Sequence, residues 1–157
     1  MISVEVTNIS DLEKFVKGFG EETRKIAIEA AEDMVLEADR LAKEHARDKS
    51  RRPFLRTGRY LNSIHAEINK RDSQVTGKIA SNVEYAGVLE HGSKPHVIIP
   101  RTRKALKFMV GGKAVFAKKV KHPGTPAFKV LTGAAEDVVK RSQDFVNKAM
   151  KRHLKNV

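Results

Sequence analysis

Three features of the chain predict an α+β fold: an antiparallel β-sheet packed against a long N-terminal helix and a C-terminal helix, with an extended basic β-hairpin. Apolar residues recur at helical spacing over residues 10–48 and again over 126–153. Between these stretches, over 63–120, the period shifts to two and Gly and Pro punctuate it. The helical segments flank the strands rather than alternate with them, which is the order of helices packed on one face of a sheet. At 157 residues the chain is expected to form a single domain over 1–157. That size buries enough surface to fold without a disulfide or metal staple.

Each element has its own local reason. Ile2, Val4 and Val6 alternate weakly and suggest a short edge strand. Ser10 followed by Glu13 is a capping box, and Leu12, Phe15, Val16 and Phe19 continue it at helical spacing. Gly18 and Gly20 predict a kink or break. The stripe then resumes at Ile26, Ala27, Ala30, Ala31, Met34, Val35, Ala38, Leu41 and Ala42, where many small residues permit close approach of a covering layer. The segment HARDKSRRPFLRTGRYLNS, His45 to Ser63, breaks the period: basic residues crowd Arg47 to Arg59 around Pro53 and Gly58, and it reads as an exposed, mobile loop. Ile64, Ala66 and Ile68 then face Val75, Gly77 and Ile79 across an Arg71-Asp72-Ser73 turn, a hairpin with one buried and one wet face.

The stretch VEYAGVLEHGSKP, Val83 to Pro95, reads as one or two helical turns ending at Gly92, with Tyr85, Val88 and Leu89 as core anchors. His96–Pro100 and Ala105–Val110 are short strands. Gly111-Gly112 then returns the chain along Ala114–Val120, because tight hairpin turns require positive φ. That register sets Phe108 opposite Val115 and Leu106 opposite Ala117, all on one face. Thr125 is expected to cap the last helix, with Pro126 at its first position. Phe128, Leu131, Ala135, Val138, Phe145 and Ala149 form the inner stripe of that helix.

Composition narrows the function. The formal net charge of +12 predicts attraction to polyanions. With no Cys, disulfide frameworks, thiol nucleophiles and Cys-type zinc sites are excluded. No apolar run has the length of a membrane span, and MISVEVTNIS lacks the shape of a signal peptide, so a soluble protein made in the cytosol is expected, with no membrane partner. His91, His96 and His122 fall near turns, with Glu90 beside the first, but without the spacing of a metal motif. Glu84 and Glu90 lie six residues apart across a turn, which does not make an acid–base pair. Nucleophile-elbow, Walker and dinucleotide signatures are all missing. No catalytic, cofactor-binding or metal residue is therefore assigned, and no cofactor or small-molecule substrate is expected.

The basic tract is the more informative feature. After Glu90 no Asp or Glu occurs until Glu136, while Arg101, Arg103, Lys104, Lys107, Lys113, Lys118, Lys119 and Lys121 accumulate. These eight form a candidate assembly surface or DNA-facing surface. A small basic nucleic-acid-binding protein contacting the phosphate backbone non-specifically is the alternative reading. Sequence-specific recognition is not expected, because no helix-turn-helix spacing or RNP-like motif occurs.

Motif order then points to a family. TGRYLNSI (57–64), a hairpin, VEYAGVLEHGSKPH (83–96) and FMVGGKAVFAKKVKHPGTPAF (108–128) leading into a last helix resemble the neck, or tail-completion, proteins of long-tailed, lambda-like siphophages and prophages. The family-motif turn is carried by Tyr85, Ala86, Glu90 and Gly92. It departs from the usual pattern in having His91 before the Gly and Ser93 after it. The resemblance implies a non-enzymatic virion protein, made in the bacterial host cytoplasm and placed at the head–tail junction or the tail end. Its implied partners are copies of itself in a closed, hexamer-like ring and neighbouring head-closure or tail proteins, with non-specific contact to DNA.

Overall fold

A 27-residue helix, α1 (Glu21–Arg47), begins directly after Gly20, where the glycine break was expected. The computed structural model describes residues 2–5, 20–48, 58–71 and 74–154. The capping box at Ser10, the Gly18 break, most of the basic segment after Arg47 and the Asp72-Ser73 turn lie outside these residues. The predicted stripe of α1 is the buried one: Ala30, Ala31, Met34, Val35, Ala38 and Ala42 are all in the core. Its small side chains let α1 pack closely on its neighbours, which are the sheet and both closing helices.

That sheet is antiparallel, with β3 (Gln74–Ser81) at its centre between β1 (Ile2–Glu5) and β2 (Ile64–Arg71). The register pairs Ala66 with Ile79 and Ile68 with Gly77, so the period-two reading was correct. Val75 and Ile79 are buried, whereas Ile68 at the far end is exposed. The end of the expected loop is corrected: a short helix, α2 (Arg59–Ser63), leads into β2 and buries Tyr60 completely, because its ring enters the core beside Ile64. Ser63 Oγ and Ser81 Oγ lie 2.7 Å apart, so the buried Ser81 hydroxyl has a partner where α2 meets the sheet.

The remaining strands pair apart from this sheet. β4 (His96–Ile98) pairs with β7 (Val120–His122), and β5 (Leu106–Val110) pairs with β6 (Lys113–Ala117). The Gly-Gly hairpin forms as predicted: Gly111 and Gly112 have φ of 55° and 79°, and Phe108 faces Val115 while Leu106 faces Ala117. The strands over 63–120 thus divide between one body sheet and two narrow ribbons.

The C-terminal region corrects the expected single helix over 126–153. The first helix, α4, runs Val130–Lys140, and a second, α5, runs Ser142–Leu154 after a turn at Arg141. Thr125 does not cap α4, because its backbone is committed to pairing with Ser93. The inner stripe nonetheless matches: Leu131, Ala135, Val138 and Ala149 are buried, while Phe128 and Phe145 pack partly buried against the same core. Each large side chain buried there contributes about 1.5–3 kcal/mol.

Ion pairs fasten α1 to the elements over it. Arg152 of α5 reaches Glu29 and Asp33, Arg141 reaches Glu37 at 3.2 Å, and Lys70 of β2 reaches Glu32. The Arg40 hydrogen bond, helped by Arg141 and opposed by partial burial, holds the Glu37 carboxyl at about 2, below its ordinary 4.5. A carboxylate whose folded pKa is lowered stabilises the fold above its unfolded pKa and loses that contribution as pH falls through the folded value. The pair is largely solvent-screened, so its contribution is about 1 kcal/mol. Glu37→Gln should therefore lower the urea midpoint at pH 6, with the difference from wild type vanishing as pH falls from 4.5 towards 2. A difference that persisted at pH 2 would assign the effect to packing instead.

Candidate functional site

Between the end of α3 (Ala86–His91) and the start of α4, the chain leaves the body at Ser93 and returns at Thr125. Everything between belongs to an arm built from the two ribbons. Ser93 N–H donates to Thr125 O at 2.8 Å, and Thr125 N–H donates to Ser93 O at 3.0 Å, which joins the two strands at the root of the arm. The β4–β7 ladder continues the same register, with His96 opposite His122 and Ile98 opposite Val120. Pro95 and Pro123 fall in the gap between bridge and ladder, where neither has an N–H to donate.

Glu90 anchors this root. Its side chain is buried, and its carboxylate accepts hydrogen bonds from Leu131 N–H at 3.0 Å and Thr132 N–H at 2.7 Å. Those amides belong to the first turn of α4 and have no partner within the helix. Lys129 precedes that turn with a φ of 49° and makes no side-chain cap. Glu90 thus does from α3 what an N-cap residue does locally, and it sits favourably at the positive end of the helix dipole. Phe128 N–H also donates to Leu89 O at 2.9 Å. Burial, together with the nearby Glu90 carboxylate and Tyr85, pushes the Tyr60 phenol well above its usual range.

Gly92 and Gly124 make the crossing sterically possible. Both have positive φ, 76° and 92°, and a Cβ on Gly92 would lie 2.6 Å from Thr125 O. A Cβ on Gly124 would meet the Ser93 carbonyl oxygen. No L side chain fits either place without moving backbone.

The family-motif turn therefore separates into distinct roles. Ala86 and Glu90 are buried and Gly92 permits the crossing, while Tyr85 is 38% exposed. Leu89 is a core anchor as expected; Tyr85 and Val88 are not, because only one side of this short helix faces the body. All eight cations (Arg101, Arg103, Lys104, Lys107, Lys113, Lys118, Lys119 and Lys121) are exposed on the arm. None forms an ion pair among the described residues, although Lys107 Nζ stands 5.9 Å from the centre of the Phe116 ring. The arm also exposes apolar groups: Phe116 is 65% exposed, Met109 63% and Val110 57%.

Two of the histidines meet in the β4–β7 ladder. His96 and His122 stack at 5.0 Å, yet Lys94 O accepts from His96 Nδ1, and Gly124 N–H donates to His122 Nδ1 at 3.1 Å. The His122 bond leaves the proton of a neutral ring on Nε2. Among the described residues no group of three or more His, Cys, Asp or Glu is arranged to hold a metal ion, and no helix is long and apolar enough to cross a membrane.

Sequence reasoning weighed Glu90 as an acid and missed it as a cap. It also missed the pairing of Ser93 with Thr125. A signal for the pairing was present: Ser93-Lys94-Pro95-His96 read forwards matches Thr125-Gly124-Pro123-His122 read backwards, the mirror order of two antiparallel strands.

A buried carboxylate spent on backbone amides, exposed cations and an uncovered apolar hairpin define a small basic α+β protein with a projecting arm. Residues 10–92, more than half of the chain, match the HK97-gp10-like family, described as "Bacteriophage HK97-gp10, putative tail-component", and the chain belongs to that family. Comparison with curated proteins and with solved structures gives no significant match. A tail component is a structural part of the virion. The match ends at Gly92, so the arm and the closing helices lie beyond it.

Proposed function

We infer that this tail component joins head and tail, or completes the tail, by assembling as a ring around the channel and binding a neighbouring head-closure or tail protein. The observation that carries this reading is the hairpin Leu106–Ala117. Its two faces carry Phe108, Val110 and Val115 on one side and Met109 and Phe116 on the other, and all five are at least 36% exposed. An isolated two-stranded ribbon is marginally stable in water. Apolar side chains on both of its faces call for cover from another subunit. A ring requires a heterologous contact whose rotation closes, and a projecting arm that reaches from one subunit to the next suits such a contact.

Deletion of the gene should leave filled heads and free tails unjoined in lysates viewed by electron microscopy. Normal virions from the deletion would rule out the joining role. Complementation with Met109→Asp/Phe116→Asp should fail to restore joining, while the purified variant melts within about 2 °C of wild type, since exposed positions rarely change stability by more than about 0.5 kcal/mol. Restored joining would show that the hairpin faces are not the contact.

A further inference from the structure

We propose that the middle of the arm is a binding site for duplex DNA, read through its phosphates and independent of base sequence. This goes beyond the joining role, because it assigns the cations to a different ligand from the apolar tip.

The two ladders of the arm do not run into one another. The first ends at the Ile98–Val120 pair and the second begins at the Leu106–Ala117 pair. Between them one strand uses residues 99–105 and the other only Lys118 and Lys119, so the longer side bulges out of both ladders. Arg101, Arg103 and Lys104 sit on that bulge, and Lys118, Lys119 and Lys121 lie on the strand across from it. The six are exposed, none forms an ion pair among the described residues, and no carboxylate occurs anywhere between Ser93 and Thr125. Several cations of the body are used differently: Arg40, Lys70, Arg141 and Arg152 are each held by an acid of α1.

An acidic protein surface is the competing ligand, and the composition of the band argues against it. Cores of protein interfaces are depleted in Lys, whereas DNA interfaces are rich in Lys and Arg. The large apolar residues of the hairpin lie farther out, beyond this band, and the band has no aromatic ring on which unpaired bases would stack. Phosphate contact without stacking favours duplex over single strands and carries no sequence information.

The test is fluorescence anisotropy of a labelled mixed-sequence duplex of about 30 base pairs titrated with the intact protein at several salt concentrations. Six phosphate contacts predict that affinity falls roughly a thousandfold between about 50 and 200 mM salt. Lys118→Ala/Lys119→Ala should reduce the slope of log affinity against log salt by about 2. Lys148→Ala/Lys151→Ala, which removes two exposed cations from α5, should leave that slope unchanged. A second duplex of unrelated sequence should bind equally well. Circular dichroism checks that both variants remain folded. Absence of binding at about 50 mM salt, or equal losses from the arm and body variants, would overturn the site. So would an arm variant that binds DNA normally but fails to join heads to tails, which would assign the cations to a protein partner. Loss of DNA binding with normal joining would leave the site standing and separate it from the joining role.

Discussion

Glu90→Ala should lower the melting temperature by about 10 °C, the largest effect of any single substitution considered. The change removes the carboxylate that receives two amides of the first turn of α4. Each buried amide left without a partner costs about 1–3 kcal/mol, so a loss of roughly 3–4 kcal/mol is expected. In a chain of this size each kcal/mol moves the midpoint by about 2–4 °C. Glu90→Gln should recover about half of that loss, because its single carbonyl oxygen satisfies one amide while its NH2 group faces the other. The pair of variants separates capping from packing: if Gln and Ala were equally destabilising, charge or fit would matter more than the hydrogen bonds. An alanine variant melting within about 2 °C of wild type would remove Glu90 from the account altogether.

Gly124→Ala should act on the arm rather than on the body. The new methyl meets the Ser93 carbonyl at a residue with φ of 92°, so the Ser93–Thr125 bridge must open or the backbone must shift. The combined strain is about 2–3 kcal/mol. The bridge lies outside the main core, so the melting midpoint should fall by only a few degrees. Trypsin should instead cut the Lys- and Arg-rich arm at least tenfold faster than in wild type, because local opening of about 1.4 kcal/mol already gives that factor. Unchanged arm cleavage together with a large drop in midpoint would mean that the crossing supports the whole fold.

These two variants also bear on function. A body that stays folded while its arm loses orientation should fail in joining. Met109→Asp/Phe116→Asp should fail for a different reason, because its arm is held in place but presents the wrong surface. Resistance to trypsin distinguishes the two failures.

Much of this protein was legible residue by residue. The Ala-rich stripe of α1, the pairing of β2 with β3, the turn ending at Gly92 and the register of the Gly111-Gly112 hairpin were all readable, because each depends on neighbours close in the chain. Periodicity and turn chemistry are local properties, and the side chains that express them lie within a few residues of one another.

The start of the last helix was misplaced for the opposite reason. Thr125 and Pro126 are good local start signals, but Ser93, 32 residues earlier, takes Thr125 into a backbone bridge, and Glu90, 41 residues before Leu131, supplies the cap four residues later than expected. A cap delivered from another element leaves no pattern at the helix it serves. Tyr85 and Val88 were assigned to the core on hydrophobicity alone, whereas a helix of six residues has one inward side, and Ala86, Leu89 and Glu90 occupy it. The amino-acid sequence by itself determined the long helix, the β2–β3 and Gly-Gly hairpins, the charge and the acid-free tract. Only the tertiary structure decided that the tract leaves the body as one arm on a stapled root, because that outcome rests on hydrogen bonds between segments that no local preference connects.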